Sequence, residues 1–288
     1  MKTISRKDIP LDYIYYRTGS RVFLDYYKKF TRLKIMETWV GSQFIKAGKV
    51  TEKFYSVIAD RIDIEPNREF LWKHGIEHAF VFWTPMRRIT KPKWWVRLPT
   101  FFSKNTNHSS RSAFSVLDRE DYWMKWSSSA RWHRRKVLKQ REDGKIQIDT
   151  QASPYDFLEI YKSKKIRDPN REYIIAWCEK KFSQSVDNLR VFLASVDGEV
   201  LAGAVFIDDW VTSEYFTSFY DKEGYPYHLW IALMDAWYLD SYEKWVKYCD
   251  LDHMRDSWQS FGYAGYTKFK ESIADHDVYF HDMWVKLF

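Results

Sequence analysis

Two apolar runs, Val191–Val196 and Glu199–Ile207, meet at Asp197-Gly198. An Asp-Gly pair between such runs specifies a type I′ turn, because that turn needs positive φ at both central residues. The spacing therefore predicts a β-hairpin, which commits the surrounding chain to a sheet with antiparallel strands. The segments that follow fit around it. Ser213–Tyr220 reads as a third strand. Pro226 and Tyr227 lead into a helix over His228–Trp245, with Leu229, Leu233, Ala236 and Trp237 sharing a face. Val246–Asp250 reads as a strand ending in Asp250. Phe261–Ile273 reads as a Gly-containing turn and a short helix, and Val278–Phe288 as a closing strand-like run.

Upstream, Ala113–Leu117 is a short predicted strand. Asp118 is a predicted N-cap, and acids in the first turn favour a helix over Arg119–Trp126. After Ser127–Ser129 a second helix begins near Ala130 and ends at Glu142-Asp-Gly144, with Gly144 as the C′ residue. Lys145–Thr150 alternates apolar and polar residues and reads as a strand. Ser153-Pro154 is an N-cap and N1 pair for a helix whose apolar face is Phe157, Ile160 and Tyr161. A further helix over Arg171–Phe182 follows the Asp168-Pro169-Asn170 turn. Earlier still, Arg21–Phe30 reads as a helix, His78–Trp83 as a buried strand and Thr90–Ser112 as irregular. The order from residue 112 onward predicts an α+β fold, a mixed, mainly antiparallel sheet flanked by helices.

Composition limits the function classes. At 45% apolar and 30% charged residues, the 288-residue chain is globular and long enough for two modest domains or one large one. Two cysteines, Cys178 and Cys249, make no disulfide framework or zinc spacing, so a reducing compartment is expected. No apolar run reaches the length of a membrane span, and Met1–Pro10 lacks the apolar region of a signal peptide. A cytoplasmic protein is expected, with contact at the inner face of the membrane as one option.

The charge is strongly divided. Residues 1–141 carry 30 Lys and Arg against 13 Asp and Glu, and residues 142–288 carry 16 against 26. Arg131–Arg141 holds six basic residues and no acid. Such a field favours a polyanionic partner: RNA, a nucleotide-linked substrate or an anionic membrane surface. A solvated face balanced by the acidic half is the plain alternative. Aromatic residues make up 19%. Most are expected in the core, and Trp94-Trp95 forms a candidate exposed patch. His74 and His78 lie at i, i+4, but two ligands do not complete a zinc site, and no metal is expected. Phosphate-loop, dinucleotide, serine-hydrolase and metalloprotease motifs are all absent from the sequence.

The strand Ala113–Leu117, the acidic start Asp118-Arg-Glu-Asp121 and the basic helix Ser129-Ala-Arg-Trp-His-Arg-Arg-Lys136 resemble, in that order, the second-domain entry of the FemABX peptidoglycan aminoacyltransferases. Phe157–Ile166 followed by Arg167 is similar to their next helix. Leu193–Phe206 resembles the central hairpin of that fold and of GNAT acyltransferases. Gly265-Tyr-Thr-Lys-Phe-Lys270 is similar to the closing G-x-x-x-F-K motif. The resemblance covers roughly 112–273. It implies a reduced GNAT-like domain over 1–111, a GNAT/FemABX-like acyltransferase domain over 112–276, and a final strand, 277–288, returning to the first domain.

The implied activity is amide formation without metal or cofactor: an amine attacks an activated carbonyl and a fixed cation steadies the oxyanion. By resemblance Lys270 takes the electrostatic role. Asp250 is a candidate to orient the amine or act as base. Arg131, Arg134 and Arg167 are candidates for a diphosphate or other anionic substrate. Tyr220 ends a strand that lines the site in the family. Gly203 marks either a bulge whose amides face the acyl donor or a point of close packing. Three functions remain open: transfer from aminoacyl-tRNA to a peptidoglycan precursor, transfer from an acyl-CoA, and RNA or membrane-surface binding without catalysis. The usual CoA pyrophosphate loop is missing, because its place reads Glu223-Gly-Tyr-Pro-Tyr-His228.

Overall fold

The computed structural model describes every residue except 14–20, 39–42, 88–89, 99–110, 165–170, 184–187, 255–263 and 281–282. In chain order its elements are β1 (Lys2–Ile4), α1 (Arg21–Phe30), β2 (Lys34–Glu37), β3 (Phe44–Lys49), β4 (Phe54–Asp60), α2 (Arg68–Lys73), β5 (His78–Thr84), β6 (Val96–Arg97) and β7 (Arg111–Val116). There follow α3 (Ser128–Glu142), β8 (Ile146–Ala152), α4 (Pro154–Ser163), α5 (Arg171–Phe182), β9 (Leu189–Val196), β10 (Glu199–Asp209) and β11 (Thr212–Tyr220). The last are α6 (Leu229–Glu243), β12 (Tyr248–Met254), α7 (Ala264–Ile273), β13 (His276–Tyr279) and β14 (Trp284–Leu287).

Two compact units result. The N-terminal unit comprises Thr3–Ser112, His253–Ala264 and Asp277–Phe288; the C-terminal unit comprises Met1–Lys2, Ala113–Asp252 and Gly265–His276. A six-stranded sheet has the order β2-β3-β4-β5-β14-β6, and an eight-stranded sheet has the order β1-β13-β7-β12-β11-β10-β9-β8. In the six-stranded sheet β4–β5 is the one parallel pair and the others are antiparallel; in the eight-stranded sheet β8–β9, β9–β10 and β10–β11 are antiparallel and β11–β12 is parallel. The fold is α+β with mixed sheets. The run predicted as one closing strand is two, β13 and β14, in different sheets, because the chain leaves the sheet at Phe280.

In the N-terminal unit β4 and β5 pair at all seven positions, from Phe54–His78 to Asp60–Thr84. The crossover between them holds α2, capped by Asn67, whose side chain accepts from Phe70 N–H at 2.8 Å. Val57, Ala59, Val81, Trp83, Trp95 and Trp284 are buried together. Trp95 is therefore core, and only Trp94 of the expected pair is exposed. His74 sits at the C-terminal cap of α2 and His78 opens β5.

The C-terminal unit is built on the predicted hairpin. Asp197 (φ 50°) and Gly198 (φ 85°) are both left-handed, as the turn requires. Helices cover both faces. Phe157 of α4 meets Phe219 of β11 at 5.3 Å, while Trp237 of α6 stacks on Phe206 of β10 at 4.4 Å. Rings of this size, fully buried, stabilise by about 1.5–3 kcal/mol each. The basic segment forms α3, with Ser127 accepting from Ala130 N–H at 3.2 Å and Gly144 left-handed just past its end. The helix expected over Arg119–Trp126 is a single 3-10 turn, Tyr122–Lys125. Asp118 binds Lys125 instead of capping, and Tyr122 and Trp126 are drawn onto Tyr238 of α6.

Candidate active site

The parallel pair β11–β12 is fastened at one end and open at the other. The strands pair at Thr212–Tyr248, Ser213–Cys249 and Glu214–Asp250, and then stop, although β11 continues to Tyr220 and β12 to Met254. A polar cluster holds the fastened end. Ser213 Oγ accepts from Arg190 at 2.7 Å and from Trp237 Nε1 at 2.8 Å, and buried Arg190 also pairs with Asp208 and Asp240. Just past the last paired position β11 bulges. Tyr215 and Thr217 lie opposite Phe206 and Val205, so Phe216 is the extra residue. The bulge breaks the alternation of side chains and leaves Tyr215 and Tyr220 on the α6 side, against Trp230.

A cavity of about 630 Å³ opens there, lined by Tyr215 and Tyr220 of β11, Leu251 of β12, Trp230 of α6 and Phe269 and Lys270 of α7, among others. Lys270 is 1% exposed. Its ammonium donates to the carbonyl of Leu251, the first β12 residue beyond the paired stretch, and to the hydroxyl of Tyr266, one helical turn back. It lies 4.0 Å from the Tyr266 ring centroid and 5.6 Å from that of Tyr215. Two oxygens and two ring faces thus hold a cation in a site shielded from water. A cation so placed is worth far more to a developing negative charge than one in solvent.

The other sequence candidates separate. Tyr220 reaches the cavity, and its hydroxyl donates to the Gly224 carbonyl at 2.9 Å. Burial pushes that phenol up to about 12, against the pull of the Leu229 and Trp230 N–H groups on its oxygen. Its hydroxyl therefore sits on the N-terminus of α6. Asp250 lies inside β12 rather than at its end. It is fully buried, does not line the cavity, and accepts from the N–H of left-handed Asp252 at 2.6 Å.

Gly203 marks close packing and no bulge. A Cβ there would lie 2.5 Å from Phe219 and 2.8 Å from Leu193, whereas the register shifts fall at Val200/Ala202 and Val205/Phe206. Arg134 does not face the cavity. It donates to Asp235 at 2.5 Å, an acid that also accepts from Tyr122 at 2.8 Å, and its guanidinium lies 4.9 Å from the Trp123 ring centroid. Arg131 is half-buried on α3, off the cavity wall. Arg167 lies outside the described residues.

Sequence reasoning missed several wall residues. Tyr266 was legible as the i−4 neighbour of Lys270 on a helix. Lys268 is exposed, yet it also reaches the wall. His133 and His228 stack at 4.1 Å with 28° between their planes, joining α3 to the left-handed cap of α6. Nothing local in the sequence pairs them. Burial pushes both imidazoles down; Lys136 adds to this at His133, and His133 and Lys136 add to it at His228. Among the described residues no group of three or more His, Cys, Asp or Glu is placed to hold a metal ion, and no helix is long and apolar enough to cross a membrane.

The chain superposes on the crystal structure of FemX with a TM-score of 0.66, over 93% of this chain and 91% of that one, at 10% sequence identity. The chain has the FemX fold. The structure of L-PGS from Bacillus licheniformis matches with a TM-score of 0.50 at 11% identity, over 95% and 93% of the two chains. A conserved protein of unknown function from Bacteroides thetaiotaomicron VPI-5482 matches at 0.54 and 6% identity, over 92% and 88%. No protein-family model and no curated protein matches the sequence. At these identities the likeness to FemX establishes the fold, and the chemistry has to be argued from the site.

Proposed function

We propose that this chain is an N-acyltransferase that moves an amino acid from aminoacyl-tRNA to an amine of a peptidoglycan precursor. The observation that carries the reading is the buried Lys270 ammonium on the wall of the cavity where β11 and β12 part. In acyl transfer the amine attacks the ester carbonyl and negative charge develops on its oxygen. Lys270, held by Leu251 and Tyr266, stands ready for that charge without reorganising. The diverging strands leave room for the acyl group, and the aromatic wall of Tyr215, Tyr220, Trp230 and Phe269 excludes water from it.

The N-terminus of α6 favours this donor over an acyl-CoA. A helix N-terminus with free N–H groups suits a pyrophosphate. Here the Tyr220 hydroxyl stands before the Leu229 and Trp230 N–H groups, which draw on its oxygen, and Tyr220 also stacks on Tyr225 at 4.8 Å. The basic face of α3 suits a nucleic acid carrier. The pure protein is incubated with charged tRNA plus a lipid-linked or UDP-linked muropeptide, and separately with acetyl-CoA plus amines. Mass spectrometry should show a new amide only in the first mixture. A product only with acetyl-CoA would replace this reading with the CoA one. RNA or membrane binding without any amide would make the chain a binding protein on the FemX fold.

A further inference from the structure

Acyl transfer to an amine leaves a proton to be moved. The nitrogen becomes positively charged as it forms the C–N bond, and its proton must leave before the amide is complete. The described residues lining the cavity include no Asp or Glu, and Asp250 lies off the wall. These described wall residues carry apolar groups, hydroxyls, phenols, the ammonium groups of Lys268 and Lys270, and two imidazoles. Of these only an imidazole accepts a proton readily near neutral pH.

Resting on the acyl-transfer reading, we propose that the stacked pair His133–His228 is the catalytic base that takes the amine proton and returns it to the leaving oxygen. The pair is built from two elements, the second turn of α3 and the cap of α6, with rings 4.1 Å apart. Two imidazolium ions that close repel strongly, so the pair holds one proton at a time. Trp132 packs on the outer side of both rings, 5.0 Å from His133 and 6.2 Å from His228.

Among the described residues the charged and titratable groups around the pair are Lys136 on α3, which lies over the Trp132 ring at 3.7 Å, and, on the shared cavity wall, Tyr225 of the 3-10 turn Lys222–Tyr227, Tyr215 and Tyr220 of β11, and Tyr266, Lys268 and Lys270 of α7. None is an acid. Burial and Lys136 keep both imidazoles neutral at pH 7, and the positive end of the α6 dipole acts on His228 in the same direction. The base is therefore empty when the amine arrives.

The step balances. The nitrogen lone pair forms the C–N bond, and the carbonyl π pair moves to the oxygen facing Lys270. The imidazole takes the N–H proton. The oxyanion re-forms the carbonyl and expels the donor oxygen with its bonding pair, and that oxygen takes the proton from the imidazolium. Ester and amine become amide and alcohol.

The test compares the full wild-type chain with the double variant His133→Gln/His228→Gln, using charged tRNA and muropeptide across about pH 5–8. In the wild type, log kcat/KM should fall by about two decades per pH unit on the acid side and about one above it, because imidazole and amine must both be unprotonated. The double variant should keep about one decade per unit throughout and lose about 100-fold in kcat. Thermal melting of both proteins controls for folding. An unaltered rate, or a lower rate with the two-decade limb retained, overturns the proposal. So does an NMR titration of the unliganded wild type in which either imidazole titrates at or above 6.5, the ordinary value. No amide from the wild type with any donor overturns the acyl-transfer reading and this one with it. Amide formation with an indifferent double variant overturns this one alone.

Discussion

Each unit holds a parallel strand pair, β4–β5 in one and β11–β12 in the other, and the two pairs end differently. In the N-terminal unit β4 and β5 stay paired through Asp60–Thr84, their last residues. In the C-terminal unit β11 and β12 pair three times and part. A short helix, α2, links the first pair, and a 3-10 turn and the fifteen-residue α6 link the second. The closed pair leaves a cavity of about 350 Å³ near its end, walled by Ser56, Asp60, Phe82, Thr84 and Met283 among others, with no cation among the described wall residues. The open pair admits a larger cavity with Lys270 on its wall. Strand direction alone therefore makes no site. A fastened base, a bulge at Phe216 and an early end to the ladder together do.

Fastening can be broken first. Arg190→Leu removes a buried cation, takes the Arg190 partner from Asp208 and leaves Asp240 with the more exposed Lys244, which should cost about 3–5 kcal/mol in denaturant unfolding. If the mutant is as stable as the wild type, Arg190 does not hold the base of the open pair. Gly203→Val tests packing beneath β11. Its side chain would push into Phe219 and Leu193, and overpacking of this kind should cost about 1–3 kcal/mol. Gly203→Ala should cost less but still lower the melting temperature. The closed pair gives the contrast. Trp83→Phe loses the donor to the Ile62 carbonyl at 2.7 Å and should cost about 1–3 kcal/mol while leaving kcat unchanged. A fall in kcat beyond the loss of folded protein would tie the closed pair to chemistry.

Smallest is a pH effect shared by both units. Burial pushes His74 down in one unit, and His133 and His228 down in the other. Each therefore binds a proton more readily unfolded than folded. Stability should be full above the ordinary value of 6.5 and decline as pH falls through the lowered folded values. His133→Gln/His228→Gln should flatten that decline in unfolding midpoints measured between about pH 5 and 7. An unchanged slope would show that the stacked pair does not titrate low.

The hairpin at Asp197-Gly198, the helix capped by Ser127 and the Gly144 stop were legible because turn and cap chemistry is local. Lys270 was placed by the closing motif alone. Roles set by distant partners were not legible. Arg131 and Arg134 look alike in sequence, and Asp235, 101 residues beyond Arg134, separates them. His133 and His228 lie 95 positions apart, with helix, sheet and turn between them, so no spacing rule finds them. Of the two readings open for Gly203, bulge or close packing, sequence could not choose, because the choice rests on Phe219 and Leu193 from neighbouring strands, while the register shifts fall at Val200/Ala202 and Val205/Phe206. Asp118 reads as a cap from its residue type and the acids after it, but Lys125, anchored to the Val116 carbonyl at 3.0 Å, takes its carboxylate instead, a contact no capping rule includes.

The cation at the open end is the claim to test most directly. Lys270→Met keeps an unbranched chain of similar length in the same slot and removes the charge with its donations to Leu251 and Tyr266. Single-turnover amide formation from charged tRNA should fall about 100- to 1000-fold, with donor binding unchanged within about twofold. Wild-type turnover in Lys270→Met would contradict the account.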